Sequence, residues 1–239
     1  MRSFRAICGD DDRLVALLRS HPGVSEVVEG GAQPLEFSSN GLPRRVLVGD
    51  REAGPRGLVE LMDNNPIVCA DAMSVPSPAS TLALICLGPL ARAGLLAEPP
   101  LLHFSFPADP EDVSNYLATE SWNHGALVES GDARVEGVLA CSARAVVRTP
   151  ERLEDVDELY EECFGRAFYV RREEEAEWSV QLVAGRPHAV YRLRMVPEAG
   201  ASLIAVDAMA DASGKCGAAQ IVHAFNLMAG FEESLGIGG

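Results

Sequence analysis

The chain has 239 residues, 47% of them hydrophobic, and its 35 acidic and 20 basic residues give a formal net charge of −15. This hydrophobic fraction is ordinary for a soluble globular protein with a sizeable core. The negative charge argues against nucleic acid and against an anionic membrane as partners, because both attract basic surfaces.

The cysteines and the apolar segments indicate a soluble protein of a reducing compartment, which we expect to be cytoplasmic. The six cysteines form no Cys-x-x-Cys pair and no cluster with histidines, so they predict free thiols and no metal site. The first residues lack the apolar core and the cleavage site of a signal peptide. The most apolar run, 80–97, is interrupted by Gly88, Pro89 and Arg92, which favours a buried helix over a membrane span.

Short strands alternate with helices over about the first 72 residues. Four segments have the composition of buried strands: 3–8, 24–29, 44–50 and 66–71. Two segments carry apolar residues at helical spacing: 12–22 and 54–65. Pro22 and Gly23 end the first helix. This order of elements predicts a small parallel sheet.

The remaining chain predicts an α+β region followed by one last helix. Five further strands are expected: 101–106, 134–148, 176–185, 188–196 and 202–210. Three further helices are expected: 80–97, 151–165 and 216–231. The predicted domains are therefore 1–76, joined by the C-terminal helix at 215–239, and 77–214.

Three segments are similar to segments of known enzymes. Residues 211–237 read DASGKCGAAQIVHAFNLMAGFEESLGI, residues 159–172 read LYEECFGRAFYVRR, and residues 75–96 read VPSPASTLALICLGPLARAGLL. The first resembles, without gaps, the Asp-Asn-Leu-x-Lys-Gly-Ala-x-Gly-Gln…Asn-x-Asn-x-Met-x-Gly stretch of the N-acetyl-γ-glutamyl-phosphate reductases, relatives of the aspartate-semialdehyde dehydrogenases. The second resembles that family's Leu-Tyr-Glu-Glu…Phe-Val-Arg segment. The third resembles its Asn-Pro-Gly-Cys-Tyr-Pro-Thr motif and the apolar helix that follows.

The resemblance implies a fold, a partner and a reaction. The implied fold is α/β plus α+β: a reduced Rossmann-like N-terminal parallel sheet, then a semialdehyde-dehydrogenase-like sheet domain, mixed or antiparallel, of the glyceraldehyde-phosphate-dehydrogenase C-terminal type. The implied assembly is a homodimer, or a hetero-oligomer with an active relative. The family's reaction reduces an acyl phosphate with a cysteine thiolate, a histidine base and the nicotinamide of NADP.

The catalytic residues that this reaction needs are missing or displaced. Aligned on the family's cysteine motif, the chain has Pro78 at the cysteine position and Ser77 beside it. Cys216 is the other candidate nucleophile, since the adjacent Lys215 is expected to lower its pKa. His124 is the nearest counterpart of the family's histidine, but its spacing differs.

The cofactor loop is reduced to one glycine. Gly9 is followed by the three aspartates Asp10–Asp12, which are expected to cap the first helix and to repel a pyrophosphate. Lys215 and Asn226 are the other cofactor-binding candidates, and Arg171 with Lys215 are the candidates for holding an anionic substrate. The sequence therefore predicts that no cofactor is bound.

Three functional hypotheses follow, and the joint loss of the cysteine and the glycine loop favours the first of them. It is a non-catalytic or repurposed relative of the reductases, a pseudoenzyme. The alternative is an active NADP-dependent acyl-phosphate reductase or semialdehyde dehydrogenase of arginine-type amino-acid biosynthesis, with relocated residues. The third is a small-molecule binding module that holds an anion with Lys215 and Arg171.

Overall fold

Two mixed sheets with helices make up the computed structural model, which describes residues 3–38, 41–133, 135–149, 152, 154–197 and 200–238. The strands are β1 Phe4–Cys8, β2 Val24–Glu29, β3 Leu35–Ser38, β4 Arg44–Val48, β5 Ala72–Val75, β6 Leu101–Phe104, β7 Leu127–Ser130, β8 Val138–Arg148, β9 Val170–Arg172, β10 Ala189–Val196 and β11 Ala201–Asp211. The α-helices are α1 Asp12–Ser20, α2 Asn64–Cys69, α3 Pro78–Arg92, α4 Pro110–Leu117, α5 Glu154–Phe164 and α6 Ala218–Ala229. The predicted fold class is confirmed.

The first sheet has the strand order β2-β1-β3-β4-β5. Strand β1 is parallel to β2, and β4 is parallel to β5, but β3 lies antiparallel between β1 and β4. The sheet is therefore mixed, where the sequence predicted a parallel sheet. Strands β3 and β5 were not predicted; β3 has only four residues, of which Leu35 and Phe37 are buried and alternate with polar neighbours.

Two segments with a strand-like composition form other structures. The predicted strand 66–71 lies mostly in α2, because Pro66 fits the first turn of a helix, where a missing N–H leaves no bond unmade. The predicted strand 176–185 contains only a 3-10 turn, Val180–Leu182, whose side chains pack with Trp178 over the second sheet. In both segments tertiary packing overrides a weak strand preference.

Two helices fill the two cores. Helix α3 is buried along nearly its whole length and packs under the second sheet, whose order is β7-β6-β8-β11-β10-β9. Helix α6 packs on the first sheet, where the Phe225 ring meets those of Phe4 and Phe37 at centroid distances of 5.7 and 4.8 Å. Gly230 ends α6 in the left-handed conformation, as its position predicts. No helix of the described residues is both long and apolar enough to span a membrane.

Candidate functional site

Two cavities meet at Pro78, the first residue of α3. One, of about 490 Å³, lies beside the start of α1 and is lined by Gly9, Asp10 and Cys216 among others; we call it the α1 cavity. The other, of about 560 Å³, lies beside the start of α4 and is lined by Ser77 and residues of α4; we call it the α4 cavity. Pro78 and Ala212 line both cavities, so the first residue of α3 lies where the two cavities meet.

The α1 cavity does not fit the pyrophosphate of a dinucleotide. Asp11 caps α1, and its side chain accepts hydrogen bonds of 2.9 Å from the backbone N–H groups of Arg13 and Leu14, which confirms the predicted cap. Those groups are the donors that a phosphate would need. Gly9 lines the cavity, and a Cβ atom there would make only ordinary contacts, at 3.7 Å, with the rest of the protein.

Cys216 is a poor nucleophile in its observed surroundings. Its side chain is 4% exposed, and its sulfur lies 3.8 Å from the carbonyl oxygen of Pro78. Burial raises the pKa of the thiol to about 12, because a thiolate is costly in an apolar environment. Lys215 lowers this pKa, the direction that its position in the sequence predicts, but burial outweighs it.

Lys215 is used inside the protein. Its side chain is 1% exposed, and its Nζ donates to both carboxylate oxygens of Glu60 at 2.6 and 2.7 Å. Burial alone would raise the pKa of Glu60, but Lys215 and His223 hold it below its ordinary value. Lys215 is not among the described residues that line the α1 or α4 cavity.

The α4 cavity contains a buried acidic residue that the sequence did not single out. Asp112 lies on α4, and its Oδ2 accepts hydrogen bonds from the hydroxyl groups of Ser77 and Ser80, the latter at 2.6 Å. Ser77 also caps α3. Asp109 caps α4, and Pro110 occupies its first position, which is the typical start of a helix.

Known proteins match this chain in fold only. No family model matches the chain, and no curated protein sequence matches it. Two solved structures of aspartate semialdehyde dehydrogenase II from Vibrio cholerae are similar, each with a TM-score of 0.62 and 13% identity. The structure complexed with ASA aligns over 96% of this chain and 99% of that chain, and the other over 95% and 98%. The fold is that of the semialdehyde dehydrogenases.

Three other candidate residues of this semialdehyde dehydrogenase fold lie apart from both cavities. His124 is exposed and packs against the Trp122 ring at 4.8 Å. Asn226 is buried, and its Oδ1 accepts a 2.9 Å hydrogen bond from Nε2 of His21, while its Nδ2 donates two hydrogen bonds to the C-terminal tail. Arg171 is exposed on the edge strand β9. The structure therefore brings together Gly9, Ser77 and Cys216 around Pro78 and leaves the other candidates elsewhere.

Proposed function

We propose that this protein is a repurposed, non-catalytic relative of the N-acetyl-γ-glutamyl-phosphate reductases. The observation that carries the proposal is Pro78 at the junction of the α1 and α4 cavities. A proline side chain has no nucleophilic atom, and its nitrogen has no hydrogen to donate to an oxyanion. The reaction therefore lacks its attacking group at the residue that the resemblance aligns with the family's cysteine.

The neighbouring residues do not replace the missing thiol. Cys216 is held in its protonated form by burial, as its pKa of about 12 indicates. Ser77 donates its hydroxyl hydrogen to Asp112, and no histidine is among the described residues that line either cavity. A carboxylate is a weaker base than the imidazole that usually activates a serine, so Ser77 is a weak nucleophile at neutral pH.

The purified protein is expected to show no saturable NADPH binding by fluorescence titration and no NADPH oxidation with N-acetylglutamyl phosphate. An authentic N-acetyl-γ-glutamyl-phosphate reductase, assayed in parallel, supplies the positive control. Turnover that is abolished in Cys216→Ala would instead establish the alternative, an active reductase that uses Cys216 or Ser77 with His124 and Lys215. Saturable NADPH binding without turnover would contradict the proposed loss of the cofactor site and leave the proposed loss of catalysis standing.

We further propose a homodimer through the open face of the second sheet. Along this face one cross-strand row is apolar, Val196–Leu203–Val146, with Leu203 45% and Val196 57% exposed. The next row is basic, Arg194–Ala205–Arg144, and in the row after it Asp207 pairs with Arg144 and Arg192 of its own chain. The exposed apolar row is therefore the feature that points to an interface, and a two-fold axis across this face would bury the row of each copy, which favours a second copy as the partner.

Sedimentation equilibrium is expected to give twice the chain mass for the protein and a single chain mass for Leu203→Lys, because the substitution buries an unpaired charge in the interface. Leu42→Lys, at a residue 80% exposed on the first half of the chain, is the matched control and should remain dimeric. A monomeric native protein would contradict the proposal.

A further inference from the structure

A third cavity, of about 480 Å³, lies where α1, the loop before β10 and the C-terminal tail meet. Its lining includes Arg13 from α1 and Arg186 from the loop, together with the apolar residues Leu17, Pro187 and Ile237. None of its lining residues is shared with the α1 or α4 cavity. It is therefore a separate site, and its lining comes from α1 near the start of the chain and from residues after 184.

Two arginines give this cavity a positive charge in a chain that is strongly acidic as a whole. Both are exposed, and the described residues supply neither with a carboxylate within ion-pair distance. A pair of free guanidinium groups at one cavity is unexpected in a chain of net charge −15. Such groups attract an anion, and their planar donors match phosphate and carboxylate oxygens.

The pKa of His188, which follows Pro187 of the lining, responds to the positive charge beside this cavity. His188 is buried, and its pKa is lowered to about 4 by burial first and then by the charges of Arg171 and Arg186. Two arginines therefore lie close enough to oppose protonation of the same imidazole. Arg171, a sequence candidate for binding an anion, adds to the field around Arg186.

Among the described lining residues, Asp211 supplies the one carboxylate, and the backbone donates to it. Asp211 accepts hydrogen bonds through Oδ2 from the N–H of Gly185 at 2.7 Å and through Oδ1 from the N–H of Ser213 at 2.8 Å. These bonds fix the turn that carries Arg186, because Gly185 precedes it directly. Asp211 thus positions a cation of the cavity and has both of its oxygens occupied.

We propose that this cavity binds a small organic dianion, a phosphate monoester or a dicarboxylate, between Arg13 and Arg186. The apolar wall of Leu17, Pro187 and Ile237 would contact its carbon skeleton. A concave site with an apolar wall and a few charged groups is the usual form of a small-molecule site. The proposal does not depend on whether the protein is catalytic.

Isothermal titration with inorganic phosphate and with succinate, at low ionic strength, tests the site. Saturable binding of either anion is expected, and the stronger of the two identifies the headgroup. Arg13→Gln and Arg186→Gln should each weaken binding about tenfold, the loss of one charge-assisted hydrogen bond. Arg148→Gln, the same change at an exposed arginine outside the cavity, should leave binding unchanged. No saturable binding, or an equal loss in the control, would overturn the proposal.

The imidazole resonances of His188 provide a second readout. Without any anion, Arg186→Gln should raise the pKa of His188 towards its ordinary value, since one opposing charge is removed. In the native protein, saturating phosphate should raise the same pKa, and this response should be lost in Arg186→Gln. A pKa of His188 that phosphate does not move would place the anion elsewhere.

Discussion

Lys215→Met is expected to lower the free energy of unfolding by about 3–5 kcal/mol, because it leaves the carboxylate of Glu60 buried and unpaired. The two side chains are 1% and 4% exposed, and both carboxylate oxygens accept from Nζ. Urea denaturation at neutral pH measures the loss. If Lys215 served instead to bind a ligand, the substitution would change ligand affinity and leave the urea midpoint nearly unchanged.

The double variant Glu60→Leu/Lys215→Met is the control for this buried ion pair. Replacing both partners by apolar residues removes the unpaired charge, so the double variant should regain most of the stability that the single variant loses. A double variant as unstable as Lys215→Met would show that packing around the lysine stem, and not the charge, causes the loss.

The pH dependence of the free energy of unfolding gives an independent measure of what the Glu60–Lys215 ion pair contributes to stability. The pKa of Glu60 is lower in the folded protein than its ordinary value, so its contribution is fully present above that ordinary value. The contribution is lost as the pH falls through the lowered pKa, where the folded carboxylate takes up a proton. The double variant should therefore lose less stability than the native protein across this acidic range.

The elements with strong local signals could be predicted from the sequence. The aspartates before α1 predict a cap, the apolar residues of α3 predict a buried helix, and Gly230 predicts the end of α6; each signal lies within a few residues of its effect. The strands predicted at 66–71 and 176–185 were wrong, because short apolar runs are compatible with strands and helices equally. Their structures depend on packing partners that lie far away in the chain.

The site was harder to predict than the fold for the same reason. The alignment of Pro78 with the family's cysteine follows from the resemblance alone. Only the structure shows that Pro78 lies between two cavities. The partners of the candidate residues are distant in sequence: Lys215 meets Glu60 across 155 residues, and Ser77 meets Asp112 across 35. Lys215 was linked to Cys216 because the two are adjacent in the chain, but its ammonium group binds the Glu60 carboxylate.

Asp112 is the residue of the α4 cavity whose removal should cost the most. Its carboxylate accepts the hydroxyl groups of Ser77 and Ser80, both in the segment that begins α3. A negative charge is favourable at this end of a helix, where the macrodipole is positive. The Asp112 carboxylate therefore stabilises the start of α3 both as a hydrogen-bond acceptor and as a negative charge.

Asp112→Ala should therefore lower the free energy of unfolding by about 2–4 kcal/mol. This is somewhat less than two independent hydrogen bonds to a charged acceptor would contribute, because both hydroxyl groups donate to the same oxygen, Oδ2. Asp109→Ala, at the exposed cap of α4 on the rim of the same cavity, should cost about 1 kcal/mol, the usual loss for a helix cap. Thermal or urea denaturation of both variants measures the difference. Ser80→Ala combined with Asp112→Ala should add little to the loss from Asp112→Ala alone, because the serine has then already lost its acceptor. Equal losses for Asp112→Ala and Asp109→Ala would mean that the buried carboxylate does not stabilise the start of α3.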